Sequence, residues 1–490
     1  MPNPPPQTPA PAPSPSPTPV REVDWQDFRD HLATADKDGH RRWLYPKKPS
    51  GRWYQWRTDS SWLLLALLFA GPFIRIHGNP YFMFDIVERK FSILGQIFGP
   101  QDMVLFALAA LLFITSIIIF TTAFGRLWCG WTCPQTLLME MVFRKIEYAI
   151  EGDSVAQRAL DAAPWTAKKT AKKAAKHFIF LAFSFIVGNT LLSYIIGSEK
   201  LIEIMRDDPR QHLTGLTFMI LFTLLFYALF ARFREQACTF ICPYGRFQSA
   251  VLDENTLVVA YDHKRGEKRG PLARGQSLEL RQAEGMGDCV SCRACVAVCP
   301  TGIDIRDGTQ MECVNCTACI DACDSIMDKV GRPRGLIRFA SFNNIEHGVK
   351  QRFTARMGLY LAVLLVLASV LGILIFTRTD VETILLRAPG ALYQQMPDGR
   401  VQNLYTLKVV NKTAREYPLE FRLENLPGQV SLMGAQNFKV EKDGMAQTSM
   451  LIALKTNVLQ GATTQLRLGV YANGKKLETV RTVFVGPRSP

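Results

Sequence analysis

Cys289-Val-Ser-Cys292-Arg-Ala-Cys295-Val-Ala-Val-Cys299-Pro300 and, further on, Cys313-Val-Asn-Cys316-Thr-Ala-Cys319-Ile-Asp-Ala-Cys323 share one spacing, C-x2-C-x2-C-x3-C. That run wraps three thiolates around one 4Fe-4S cluster and sends the fourth to a neighbouring cluster. It predicts a first cluster on Cys289, Cys292, Cys295 and Cys323, and a second on Cys313, Cys316, Cys319 and Cys299. Zinc also takes soft thiolates, but its structural sites use separated C-x2-C pairs rather than three cysteines at x2 intervals followed by x3. The second set has Asp324 where the first has Pro300, a departure that touches turn geometry or potential and not a ligand. Clusters held by crossed ligands lie close together, so this segment reads as an electron-transfer module.

On either side of this segment the chain turns apolar. Five stretches are long enough to cross a hydrocarbon core of about 30 Å: Ser60 to Ile76, Met103 to Phe124, Phe178 to Ile196, Leu213 to Ala231, and Met357 to Phe376. The first is short and broken by Pro72; the last has no charge at all. Basic residues concentrate before the first span (Arg41, Arg42, Lys47, Lys48, Arg52, Arg57) and between the second and third (Arg126, Arg144, Lys145, and the run from Lys168 to His177). By the positive-inside rule the N-terminus is cytoplasmic, and an odd number of spans sends the C-terminus to the other side. The lysine run reads as a topology signal lying against anionic lipid, not as a nucleic-acid site. All 12 cysteines then fall on the cytoplasmic side, which suits thiolates kept reduced for metals.

Composition agrees with a mixed architecture. The chain has 490 residues, 48% apolar and 20% charged, with a net charge of +14. This excludes a wholly disordered chain, and 12 cysteines in so long a chain exclude a small disulfide scaffold. Residues 1–20 form a Pro-rich tail, expected to be disordered.

The remaining four cysteines form two copies of CxxxCP: Cys129-Gly-Trp-Thr-Cys133-Pro134 after the second span and Cys238-Thr-Phe-Ile-Cys242-Pro243 after the fourth, with Arg126 and Arg234 upstream. Spacing i, i+4 predicts both sulfurs of a pair on one helix face, with Pro opening a new helix. Two even-numbered spans end on the same side, so the pairs can converge into a four-thiolate site. Such thiolates suit Cu(I), a further iron-sulfur cluster or zinc, and spacing does not choose among these.

At this point the residues resemble a family. RRWLYPKKPSGRWYQWR, RLWCGWTCPQTLLMEMVFRKIEYAIEGD, FREQACTFICPYGRFQSAVLDENTLVVAYDHKRGEKRG and the double cluster motif followed in its first half by CPTGIDIR are similar to the FixG/RdxA/CcoG proteins, accessory proteins of bacterial cytochrome c oxidase. The resemblance implies a protein of the bacterial inner membrane that reduces Cu(II) to Cu(I) for assembly of a cbb(3)-type oxidase. It would use two 4Fe-4S clusters facing the cytoplasm, with copper as substrate or transient ligand of Cys129, Cys133, Cys238 and Cys242. Implied partners are a cytoplasmic electron donor and oxidase assembly factors or a copper transporter. Two other readings stay open: a quinol-linked electron-transfer subunit similar to NapH, and an assembly scaffold with structural clusters.

Beyond Thr377 the apolar period becomes two. Leu419, Phe421 and Leu423 alternate with charged residues, as do Leu466, Leu468 and Val470 with polar ones, and Asn473-Gly474 marks a hairpin before a last strand near Thr479 to Val485. This predicts a β-sandwich, which the resemblance makes an immunoglobulin-like domain outside the cytoplasm. The glycosylation spacing Asn411-Lys-Thr413 carries little weight. The segment after the first span, HGNPYFMFDIVERKFSILG, reads as an amphipathic interfacial helix, with His77 and Asp85 as weak candidates for a quinol site; Asn189 fits helix packing. The expected architecture is therefore a multidomain membrane protein: a tail (1–20), an N-terminal cytoplasmic segment (21–59), a four-span unit carrying both CxxxCP motifs (60–231), a bacterial-type two-cluster ferredoxin domain (232–356), a fifth span (357–376), and the sandwich (378–490).

Overall fold

The computed structural model describes residues 33–487 apart from 36–37, 39, 77, 87–89, 100–101, 209, 273–275, 277, 350–353, 391, 414, 435–437 and 443. The tail, residues 21–32 of the N-terminal segment and His77 lie outside the described residues.

Helix α1 (Arg52–Ala70) starts eight residues before the expected span. The cause is distant in sequence: the Asp321 carboxylate accepts hydrogen bonds from the backbone N–H groups of Trp53 (3.1 Å) and Tyr54 (2.8 Å). It supplies from another domain the acceptor that a local N-cap would provide. The helix ends at Gly71, where Pro72 opens a 3-10 turn. Its first half is polar, so α1 is not among the helices long and apolar enough to cross a membrane. Four described helices are: α2 (Met103–Phe124), α6 (Ala167–Ile196), α7 (Leu213–Ala228, continued as π-helix to Phe233) and α10 (Ala355–Phe376).

Among the described residues between α1 and α2 the interfacial helix expected from sequence does not form. Phe82–Asp85 (β1), Lys90–Ile93 (β2) and Gln96–Phe98 (β3) form an antiparallel sheet instead. Aromatic residues decide this: Phe84 and Phe91 face one another across β1 and β2, and Phe91 stacks on Phe106 of α2 at 4.7 Å. Leu94 and Gly95, both at positive φ, make the β2–β3 turn.

Short helices follow α2: α3 (Leu127–Trp131), α4 (Pro134–Leu137) and, after a π-helical stretch at Leu138–Phe143, α5 (Arg144–Ile150). Helix α6 carries the lysine run, and three of its five lysines are engaged within the protein. Lys169, Lys173 and Lys176 share one helix face and turn inward rather than toward lipid. Lys173 pairs with Glu151 (2.9 Å) and Asp161 (2.6 Å), Lys176 pairs with Glu151 (3.0 Å), and Lys169 donates to the carbonyls of Asp161 and Ala163. Buried ammonium groups need such partners.

The ferredoxin-type unit follows α7, beginning with α8 (Pro243–Val251). It pairs β4 (Val258–Tyr261) with β5 (Ile337–Ala340) and contains α9 (Ala318–Lys329). It docks on the far end of α2: Leu257 N–H donates to Ala123 O (3.1 Å) and Asn315 Nδ2 to Phe124 O (3.4 Å). Asp324 replaces a turn-making proline, and α9 runs straight through it, with its carboxylate accepting from Gly335 N–H at 2.9 Å.

The C-terminal sandwich has strands β6 (Val381–Arg387), β7 (Arg400–Asn411), β8 (Tyr417–Leu423), β9 (Gly428–Leu432), β10 (Phe438–Val440), β11 (Met445–Lys455), β12 (Thr463–Ala472) and β13 (Lys475–Val485). One sheet runs β9-β11-β7-β6, with Gln394–Gln395 added beside β7, and the other runs β10-β8-β12-β13. The inward residues Leu407, Val409, Ile452, Leu466, Leu468, Val470 and Phe484 are fully buried between them. Asn473 and Gly474 make the hairpin, and its second strand starts at Lys475, four residues before the expected start. Asn411 is buried, its amide donating to the carbonyls of Arg415 (2.6 Å) and Glu441 (2.9 Å), which leaves it unsuited to glycosylation. The sandwich docks at the opposite end of α2 from the ferredoxin unit, where Asp102 pairs with Arg378 (2.8 Å) and Lys412 (3.1 Å). The two polar units thus stand at opposite ends of a 22-residue apolar helix, about 33 Å long.

Within this domain the carboxyl of Glu478 is pushed above its ordinary range, first by burial, although it accepts the Thr383 N–H at 2.8 Å. A raised folded pKa means that the protonated form is favoured by folding. Its stabilising contribution is complete below the unfolded value of about 4.3 and is lost as pH rises through the folded value. Glu478→Gln, which keeps an acceptor without the charge, is expected to raise the melting temperature of the domain at pH 7 and leave it unchanged near pH 3.5. Melting curves at the two pH values check this.

Candidate iron-sulfur and thiol centre

The eight cysteines of the two C-x2-C-x2-C-x3-C motifs line two cavities of similar empty volume, about 330 and 350 Å³. Cys289, Cys292, Cys295 and Cys323 line the first; Cys299, Cys313, Cys316 and Cys319 line the second, and Cys295 also reaches it. The fourth cysteine of each motif therefore sits in the other motif's cavity. Both loops reach this arrangement with the same unusual backbone. Ser291 (φ 52°) and Arg293 (φ 57°) flank Cys292, and Asn315 (φ 52°) and Thr317 (φ 65°) flank Cys316. Left-handed non-glycine residues carry strain, and the same strain at four matched positions marks two loops shaped around one kind of group.

Among the described residues, no three His, Cys, Asp or Glu side chains converge on a point suited to a single ion. Four thiols ringing each cavity suit a multi-atom inorganic core, the group that the cysteine spacing predicts. Burial pushes the thiols of Cys295, Cys313 and Cys323 up to about 12 and that of Cys316 to about 11, so filling either cavity expels protons. The first cavity has the one exposed thiol of the set, Cys292; the second lies against the short helices at the end of α2.

The CxxxCP motifs form that layer. Gly125 ends α2 at φ 57°, ψ −136°, and Arg234 ends the π-helical extension of α7 at φ 52°, ψ −125°. Each stands four residues before the first cysteine of its motif, so the sequence repeat is also a backbone repeat. Arg126, three residues before Cys129, is equivalent to Glu235 and not to Arg234. The expected same-face pairing within one helix does not occur. Cys133 (ψ 123°) and Cys242 (ψ 111°) lie outside their helices as N-caps of α4 and α8, with Pro134 and Pro243 at the first helical position. The residue before a proline is driven out of the helical region, which overrides the i, i+4 reading.

The two pairs do converge. The Cys238 thiol is pushed up to about 12, first by burial and then by Cys133, Cys129 and Cys242, against the pull of Arg126. Cys129 is raised by burial against the pull of Arg126, and its thiol donates to Gln248 Oε1 at 3.2 Å. The same oxygen accepts from Arg126 Nε at 2.9 Å, while another Arg126 nitrogen donates to Met311 O. Arg126 also lowers the Cys313 thiol, so one guanidinium acts on both thiol sets. Gln248, fully buried with its amide nitrogen unpaired, was missed in the sequence because it lies in an ordinary amphipathic helix. Beside Cys238 a further cavity is lined by Arg126, Met139, Glu140, Glu235 and Glu312. All three π-helical stretches among the described residues, Leu138–Phe143, Leu229–Phe233 and Ala237–Ile241, adjoin these motifs.

Close packing joins the layer to the second cavity. Trp131 Nε1 donates to Asn315 O (3.2 Å), Arg57 Nε donates to Gly130 O (2.8 Å), and a side chain at Gly130 would strike the carbonyl oxygen of Val314. Gly130→Ala is expected to push α3 off the Val314 loop at a cost of about 1–3 kcal/mol. A lowered melting temperature with both cavities' iron retained would show it. Asp85, weighed for a quinol site, is buried in β1 at the opposite end of α2 from these thiols and takes no part. Asn189 lies within α6, where its amide donates to Phe185 O at 2.8 Å.

Family models match three segments: a 4Fe-4S dicluster domain over residues 233–342, a 4Fe-4S binding domain over 106–150, and the IG-like fold at the C-terminus of FixG over 371–487. Nitrogen fixation protein FixG of Rhizobium meliloti is 33% identical over 437 residues, covering 81% of this chain and 82% of its own. Protein RdxA of Cereibacter sphaeroides is 31% identical over 474 residues, covering 91% and 98%. The crystal structure of a FixG-related protein from Vibrio parahaemolyticus is 24% identical, covering 22% of this chain and 97% of its own, with a TM-score of 0.19.

Proposed function

The chain belongs to the FixG and RdxA family and is a membrane iron-sulfur electron-transfer protein; on that premise we propose that it reduces Cu(II) to Cu(I) for assembly of a cbb(3)-type oxidase. In this reading α1 is a fifth span, and the ferredoxin unit and N-terminus face the cytoplasm. The sandwich then lies beyond the membrane. Cys289, Cys292, Cys295 and Cys323 hold one 4Fe-4S group, and Cys299, Cys313, Cys316 and Cys319 hold the other. When bound, the two groups supply one-electron storage and relay.

The observation that carries the proposal is the packing of the Cys129–Gly130 turn against the Val314–Asn315 loop of the second cavity, with Arg126 acting on both thiol sets. Cys129, Cys133, Cys238 and Cys242 take up the cupric ion, and Met139 and the carboxylates of Glu140, Glu235 and Glu312 offer it a path from the neighbouring cavity. Thiols bound to the ion give up their protons. Soft sulfur ligands in a poorly solvated site then favour the monovalent ion, so that Cu2+ plus one electron gives Cu+. A cytoplasmic one-electron donor replaces the electron, entering by way of the exposed Cys292 end. Copper is the substrate in this reading and leaves as the monovalent ion.

The test is anaerobic reduction of Cu(II), followed with a Cu(I)-specific chelator. Cys129→Ser/Cys133→Ser is expected to cut the rate at least about tenfold while leaving cluster absorbance intact. A wild-type rate in this variant would end the copper assignment. One observation favours a second reading, in which the four thiols hold a third cluster: the 4Fe-4S binding model matches residues 106–150, where only Cys129 and Cys133 are present. Iron analysis separates the two, at about eight irons per chain against about twelve.

A further inference from the structure

We propose that a cavity at the ferredoxin-side membrane surface binds the headgroup of an anionic glycerophospholipid, phosphatidylglycerol in kind. The cavity, with an empty volume of about 840 Å³, lies between the first two turns of α1 and α5, and is walled by Lys48, Tyr54, Thr58, Asp59, Lys145 and Tyr148. It lies apart from the thiol layer and the copper path. The inference rests on the reading of α1 as a span.

Charge is the first argument. Among the described residues neither ammonium has a carboxylate within ion-pair distance. Lys145 instead lies over the rings of Tyr54 and Trp62, at 5.7 Å from each. Burial, and then the nearby charges of Lys48 and Arg57, disfavour its protonated form, with Asp59 a weaker compensation. Two ammonium groups and one carboxylate leave the walls at net +1, the complement of a phosphodiester with an uncharged alcohol. A zwitterionic headgroup leaves that charge unmatched. Basic pockets beside spanning helices recognise anionic headgroups in this way, the phosphate taking the ammonium donors. The glycerol hydroxyls then have Asp59 as acceptor.

The second argument is what lies beyond the cavity. From Asp59 the same face of α1 continues through Leu63, 63% exposed, and Leu67, 54% exposed, beside Trp62 at 59%. An apolar column that begins where the cationic cavity ends fits an amphiphile, with its phosphate in the cavity and its acyl chains along the helix. Trp62 stands at the junction, where indole rings favour the membrane interface.

Native mass spectrometry of the full-length protein released from detergent tests this, with 1-palmitoyl-2-oleoyl phosphatidylglycerol titrated against the matching phosphatidylcholine. Wild type is expected to retain phosphatidylglycerol at roughly tenfold lower concentration. Lys48→Glu/Lys145→Glu should abolish the preference with iron content unchanged, and Lys48→Arg/Lys145→Arg should keep it. Equal binding of the two lipids by wild type, or an undiminished preference after charge reversal, overturns the proposal. So does displacement by millimolar inorganic phosphate, which marks a free-anion site, or a quinone found in place of the lipid. Failure of the α1 reading is distinguishable, because Phe73→Cys, at a site exposed just past the end of α1, would then stay unlabelled by an impermeant maleimide added to spheroplasts from outside; the lipid readout uses no copper chemistry.

Discussion

Cys299→Ser is expected to leave the protein with half its iron, and the missing half is the cluster built mainly by the other motif. Cys299 closes the first C-x2-C-x2-C-x3-C run in sequence, yet it lines the cavity of Cys313, Cys316 and Cys319. A serine oxygen is a harder and shorter ligand than a thiolate and holds iron poorly there. Copper reduction should fall to background, because the surviving site, around Cys292, is the one farther from Cys129. Cys323→Ser should also halve the iron while sparing copper reduction by dithionite, a reductant small enough to feed the membrane-side site directly. Double variants make the crossing testable by iron analysis alone. Cys299→Ser with Cys316→Ser damages one site and should keep half the iron; Cys299→Ser with Cys292→Ser damages both and should keep none. The reverse pattern would mean that each motif holds its own cluster. Equal loss in both pairs would mean that the two sites fold only together.

The legible part of this arrangement was the part governed by short spacing. Cysteine intervals predicted two crossed sets, and the same cysteines group around the two cavities; alternation at Leu466, Leu468 and Val470 pointed to the sandwich. The errors have separate physical causes. In the CxxxCP motifs, helical spacing suggested sulfurs on one face, although Pro134 and Pro243 already forbade a helical Cys133 and Cys242. That signal was present and was outweighed wrongly. In β1 to β3, charges at Asp85 and Lys90 suggested an amphipathic helix, but these two residues pair across strands and the Phe84–Phe91 contact sets the register. The start of α1 could not be read locally, since its capping carboxylate, Asp321, stands 267 residues from Tyr54. The same holds for the lysines of α6. Their common face follows from the sequence, but the carboxylates of Glu151 and Asp161 reach it only in the folded chain.

Arg234→Ala is expected to destabilise the helical unit by about 3–5 kcal/mol, the range for removing one member of a buried ion pair. Arg234 is 3% exposed and holds Glu147 with two nitrogens, at 3.1 and 2.8 Å, beneath the ring of Trp43. Without it, among the described residues, the buried Glu147 keeps the ion pair with Lys176 at 3.8 Å and the more distant charge of Arg144. The backbone adds a second element, because Arg234 occupies a conformation that its counterpart in the repeat, Gly125, reaches without strain. The ion pair holds a non-glycine residue where the turn before Cys238 requires left-handed φ. The two contributions separate by substitution. Arg234→Gly relieves the backbone and should melt above Arg234→Ala, by an amount matching about 1 kcal/mol, yet below wild type. Arg234→Lys keeps the charge but not the two-pronged geometry, and should also melt below wild type. Reaction of Cys238 with a thiol-specific fluorophore during heating reports the opening of this turn directly. If the alanine and glycine variants open together, the backbone conformation carries no strain; if both open with wild type, Glu147 is satisfied without Arg234, and the shape of the thiol layer has another origin.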